Sequence, residues 1–166
     1  MKGLGTKIGI GIGGLLLLLS PVAGKGVNGE IGKYIEAQKK AAEQVVGDRY
    51  LTPTQVMTQL KEGKIKVLDV REFQEYISGH IKDSLWIPRG ILYSAVKKGK
   101  ITPDQRLVVV CRTGHRALLA AATLIKWFHF KNVYVMKGGI KGWIEAGGTL
   151  SNGLKLGPVK IQLLQK

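Results

Sequence analysis

The sequence predicts a three-layer α/β domain with a mainly parallel sheet, preceded by a signal segment and an extra amphipathic helix. Three observations carry this. From Tyr50 onward, short apolar runs alternate with helical segments, the pattern of parallel strands joined by helical crossovers. The run Leu107 to Val110 is apolar at every position and mostly β-branched, as suits a strand buried on both faces. That run stops abruptly at Cys111, and a short polar loop then leads into ALLAAATLIKWF, whose Ala and Leu content and apolar spacing are helical.

Taken in order, residues 1–24 read as an export signal. Lys2 and Lys7 make a positive start, Ile8 to Leu19 an apolar stretch of signal-peptide length, and Pro21 a helix break, with Val22 and Gly24 at the small-residue positions of a cleavage site. An uncleaved membrane anchor is the alternative, although the uncharged run from Ile8 to Gly24 is short for the roughly 20 residues that span a bilayer comfortably. The Gly9, Gly11, Gly14 spacing matches a dinucleotide fingerprint only formally, since no strand precedes it. Residues 25–48 form a helical extension. Ile31, Tyr34, Ile35, Ala41, Ala42 and Val45 fall at helical intervals among charged residues, and Gly47 closes the helix; packing on the domain or spacing it from a membrane are its expected roles.

The domain proper occupies residues 49–150. Tyr50 and Leu51 suggest a first strand, and Thr52-Pro53 starts a helix with Thr52 as N-cap, running to about Lys61. Ile65 to Val70 is the second strand, Phe73 to Ser78 a short helix, and Leu85 to Ile87 a third strand ended by Pro88. Arg89 to Lys98 is helical. Arg89 lies just beyond a strand end, where open α/β sheets place ligands, which makes it a candidate for the site. After the cysteine unit, Val133 to Val135 is the last strand, and Gly138-Gly139 turns into a helix whose Trp143 belongs to the core. Residues 151–166 are a basic tail, expected as an edge strand or a surface segment.

The strand, loop and helix around Cys111 make an anion cradle. Backbone N–H groups of the loop and of the helix N-terminus converge on whatever the loop encircles, and Gly114 permits the positive φ that such a turn needs. The same donors, with the cations Arg112 and Arg116, favour a thiolate at Cys111, the nucleophilic form of the side chain.

The loop Cys111-Arg112-Thr113-Gly114-His115-Arg116 resembles the active-site loop of the rhodanese family of sulfurtransferases, whose Cys-Arg-x-Gly-x-Arg segment carries a persulfide. Val67 to Pro88 is similar to the family's DVR…E-[YF]…GHI…IP signature, and Val133 to Gly147 to its closing GG…W…G signature. The resemblance implies five strands with the loop at their C-terminal edge and no metal or organic cofactor. It also implies a mostly structural Asp69 and Arg71, with the Asp bonding to backbone near the active loop. Cys111 becomes the nucleophile, Arg112 to Arg116 the substrate-binding loop, a small anion such as thiosulfate the sulfur donor, and cyanide, a thiol or a protein the acceptor.

Composition narrows the alternatives. A single cysteine excludes an internal disulfide and a CxxC redox pair, and His80, His115 and His129 lack metal-ligand spacing. The formal charge is +15, and from Leu85 to Trp143 the sole acid is Asp104, so a positive field surrounds Cys111 and draws small anions or anionic lipid. The lysines are scattered rather than contiguous, which argues against nucleic acid as partner. The expected location is the periplasm, as an exported protein or as one anchored through residues 1–24. Two other functions remain open: a persulfide carrier with little turnover on small donors, and a cysteine-based phosphatase, whose cradle is similar.

Overall fold

The computed structural model describes residues 24–153; the expected signal segment and most of the basic tail lie outside the described residues. A five-stranded sheet forms the centre, comprising β1 (Tyr50–Leu51), β2 (Lys66–Asp69), β3 (Leu85–Trp86), β4 (Leu107–Val110) and β5 (Val133–Met136). The strand order is β1-β5-β4-β2-β3, with every pairing parallel. All four β4 residues are buried because β4 is the central strand, paired on both edges and covered on both faces.

Six helices supply those covers: α1 (Gly24–Val46), α2 (Pro53–Lys61), α3 (Phe73–Ser78), α4 (Leu92–Lys97), α5 (His115–Phe128) and α6 (Gly139–Glu145). One core unites Leu68, Val109 and Val135 with α1, α4 and α5; the other unites Val67, Val108 and Val110 with α2 and α6. Alternate strand residues therefore feed opposite layers, as the pleat requires. Trp143 lies in the second core, its indole N–H donating to the Thr149 carbonyl at 3.0 Å.

Local signals hold. Thr52 caps α2 through a reciprocal pair with Gln55, at 2.8 and 3.2 Å, and Pro53 occupies the first turn. The segment from Arg89 is helical in two pieces, a 3-10 turn at Arg89–Ile91 followed by α4. The helical extension docks on the domain by its C-terminal half. Ala42 and Val46 are buried against α5, Gly47 closes the helix with φ +61°, and Arg49 bonds the Val46 carbonyl at 3.1 Å. Residues 29–38 of α1 are all exposed. Beyond the last helix, Ser151 pairs with His80 in a single antiparallel bridge. Among the described residues no helix is long and apolar enough to cross a membrane.

Candidate active site

The middle of the sheet delivers Cys111 to its C-terminal edge, and α5 begins four residues later. Between them Gly114 adopts φ +119°, a conformation that turns the chain back over the cysteine and that other residues adopt only with strain. The result is a ring around the sulfur. The Gly114 N–H lies 3.2 Å from Cys111 Sγ and the Ala117 N–H 3.4 Å, the second coming from the first turn of α5. Both donors face a residue that is only 1% exposed.

The ring is seated from below by the closing glycine pair. Gly138 and Gly139 both have positive φ, and a Cβ on Gly139 would overlap the Cys111 carbonyl oxygen and lie 2.8 Å from the Arg112 carbonyl carbon. The first N–H groups of α6 take up the loop's carbonyls: Ile140 donates to Cys111 O at 2.8 Å and Lys141 to Arg112 O at 3.1 Å. With these carbonyls fixed outward, the loop's N–H groups are free to turn toward the sulfur.

The structure divides the expected site residues into two groups. Cys111, Arg112, Thr113, Gly114 and His115 form the ring, with Arg112 and Thr113 exposed and Arg112 in no ion pair among the described residues. Arg116, which the sequence assigns to the donor, also grips Glu75 with its guanidinium through two bonds of 2.6 and 2.7 Å, each side chain 31% exposed. Its planar fork matches a carboxylate that α3 has already fixed, since the Glu72 N–H at the start of that helix also bonds Glu75. The Arg116 bond holds the Glu75 carboxyl below its ordinary value against the opposing effect of burial, with further help from the Glu72 N–H and the charges of Arg116 and Arg71. Reciprocally, Arg116 is pushed up, first by Glu75, and the neighbouring Cys111 adds a smaller attraction.

One expectation changes. Arg89 does not join the cradle: its backbone N–H is tied to the Val70 carbonyl at 3.2 Å, and the residue lines a surface groove with Ala41 and Val45 of α1 and Leu119 and Trp127 of α5. Asp69 bonds backbone at the strand end beside the loop: its carboxylate accepts from the Arg71 backbone N–H at 3.0 Å and from the Arg71 guanidinium at 2.7 Å, and Arg71 carries the link on to the Gly79 carbonyl at 2.7 Å. This buried pair braces the β2–α3 turn. Glu75 is the site residue that local reasoning misses, although it is the acid of the quoted E-[YF] signature. Among the described residues no group of three His, Cys, Asp or Glu side chains could hold a metal ion.

The comparisons agree with this geometry. The family description "Rhodanese-like domain" matches residues 52–146, which contain the ring, its seat in α6 and the Glu75–Arg116 pair. Thiosulfate sulfurtransferase GlpE of Pseudomonas paraeruginosa is 35% identical over 85 residues, covering 51% of this chain and 74% of that protein. The probable adenylyltransferase/sulfurtransferase MoeZ of Mycobacterium tuberculosis is 30% identical over 105 residues; the match covers 63% of this chain but only 26% of that much longer protein. A solved structure of a Rhodopseudomonas palustris protein of unknown function, described as a possible tyrosine phosphatase, superposes with a TM-score of 0.63 at 27% identity, covering 70% of this chain and 93% of that one. With a family match across most of the folded domain and the cysteine ring at the C-terminal edge of its sheet, the chain belongs to the rhodanese-like domain family.

Proposed function

We propose that the protein moves a sulfane sulfur from an anionic donor such as thiosulfate to a nucleophilic acceptor, cyanide or a thiol, through a persulfide on Cys111. The observation that carries this is the pair of N–H groups aimed at Cys111 Sγ from Gly114 and Ala117. In the first step the thiolate attacks the outer sulfur of thiosulfate, the donor's S–S bond breaks, and sulfite leaves with the electron pair. The new outer sulfur carries negative charge inside the ring, where fixed backbone donors stabilise it without reorganising. In the second step the acceptor attacks that outer sulfur, and the electron pair of the breaking bond returns to Cys111. Arg112, exposed at the ring and unpaired among the described residues, meets the donor's oxygens. Arg116 holds the ring against α3 through Glu75.

Sulfur is favoured over phosphorus by the same geometry. Four residues separate Cys111 from Arg116, one fewer than in related cysteine phosphatases, and the loop arginine that would clamp a phosphoryl group is already occupied by Glu75. A phosphoryl group would leave charged oxygens without donors in a desolvated ring. We further propose that the protein works outside the cytoplasm, released from or held by residues 1–24, on the basis of their apolar, positively led sequence. Mass spectrometry after incubation with thiosulfate tests the chemistry. One added sulfur atom is expected on the peptide containing Cys111, reversed by cyanide and absent in Cys111→Ser. An unmodified Cys111 in folded protein would make this a binding domain instead.

A further inference from the structure

A cleft of about 500 Å³ lies beside the ring, with no residue of α3 in its lining. Thr113, Gly114 and His115 form one wall, so whatever fills the cleft touches the ring that holds the sulfur. Leu118 and Val135 line it with hydrocarbon. The opposite side comes from outside the residues that define the family: Lys39 and Glu43 of α1, together with Tyr50. Lys137, just past β5, completes it.

Its charges are unevenly committed. Lys39 spans Glu36 at 3.4 Å and Glu43 at 4.0 Å, whereas Lys137 makes no ion pair among the described residues. The lining itself holds two lysines and one acid, Glu43, with Lys137 the lysine left uncommitted. Burial, then the Glu43 carboxylate, pushes the Tyr50 hydroxyl up from its ordinary value, so at neutral pH it is an O–H donor. Cations and a hydroxyl above an apolar floor suit a small organic molecule with a hydrocarbon body and an anionic end.

We infer that this cleft seats the sulfur acceptor, and that the acceptor is a thiol carrying a carboxylate, selected by Lys137 and by Lys39 of the helical extension. The inference rests on the sulfur-transfer reading. The acceptor's body lies on Leu118 and Val135, its carboxylate meets the lysines, and its thiolate attacks the outer sulfur of the Cys111 persulfide. A new S–S bond forms to the acceptor, the bond between Sγ and the outer sulfur breaks, and its electron pair restores the Cys111 thiolate. The product is the acceptor's own persulfide.

Three small thiols with the same two-carbon spacer test this: 3-mercaptopropionate, 2-mercaptoethanol and cysteamine, anionic, neutral and cationic. The full chain is first loaded with thiosulfate and its persulfide quantified by intact mass, then discharged by each thiol. Lys137→Gln and Lys39→Gln should each lower the rate with the anionic thiol, relative to the neutral one, by about two- to fivefold, the range of a solvent-exposed charge pair. Lys137→Glu should turn the preference toward cysteamine, and raised salt should weaken it. Comparing variants with wild type cancels the thiols' own reactivity. A chain that loads with sulfur yet keeps the same thiol ratios in every variant overturns this inference alone. A chain that never loads overturns the sulfur-transfer reading and the inference with it.

Discussion

Replacing Glu75 with Gln keeps its size and removes the charge that Arg116 grips. Two short bonds are at stake, on side chains each 31% exposed, which puts the pair between two regimes. Exposed ion pairs are worth about 0.2–1 kcal/mol, and breaking a buried one costs about 3–5 kcal/mol, so a loss of about 1–2 kcal/mol is expected. In a domain of this size that corresponds to a fall in Tm of about 3–8 °C. The pH dependence gives the sharper check. Because Arg116 lowers the Glu75 carboxyl in the folded state, its stabilisation is fully present above the unfolded carboxyl's ordinary value, 4.5, and is lost as pH falls through the lower folded value. Scanning calorimetry of both proteins should therefore show a gap at pH 7 that narrows toward pH 3, as the wild-type Glu75 carboxylate begins to take up its proton. A gap of the same size at both pH values, or none at pH 7, would refute a charge-based brace.

Other expectations follow from the ring and its surroundings. Gly139→Ala should displace the loop, because the new Cβ meets the Cys111 carbonyl and the residue keeps φ +58°; persulfide formation, read by mass, should fall further than helix content, read by circular dichroism. Arg112→Ala should lower kcat/KM for thiosulfate by one to two orders of magnitude, the equivalent of a charge-assisted contact of about 1.5–3 kcal/mol made in the transition state, and wild-type kinetics would remove Arg112 from the site. On the export reading, cells should contain protein beginning near Lys25, with a formal charge of +13 after loss of Lys2 and Lys7, that salt washes from membranes; protein retaining Met1 that only detergent releases would establish the anchor.

What was legible in the sequence was local. Thr52, Pro53 and Gln55 announce α2 because a cap is decided within one turn, and Leu107 to Val110 announce a central strand because both their faces must be apolar. Cys111 and Gly114 could be placed in a ring for the same reason, their geometry spanning a few bonds. Partnerships across the fold were harder. Arg116 and Glu75 are 41 positions apart, and nothing in the loop itself reveals that α3 will present a carboxylate to it. Arg89 misled because a strand end points toward the ligand edge in general, whereas here a 3-10 turn carries the chain to the flank of α5. The α1 wall of the cleft was equally hidden: amphipathic spacing marks Ala42 as inward-facing without saying that Lys39, three residues earlier, overlooks the cysteine loop.

The seat beneath the ring bears on how the protein is made. Cys111 leaves the ribosome well before Gly139, Ile140 and Lys141, the residues that hold its loop in shape. Until that downstream stretch has emerged and docked, the carbonyls of Cys111 and Arg112 lack their N–H partners and the loop is not held around the sulfur. A nascent or truncated chain ending before α6 is thus chemically unlike the finished one, open to stray oxidation but not tuned for transfer. The order of synthesis withholds the cysteine's activity until nearly the whole domain exists to control it.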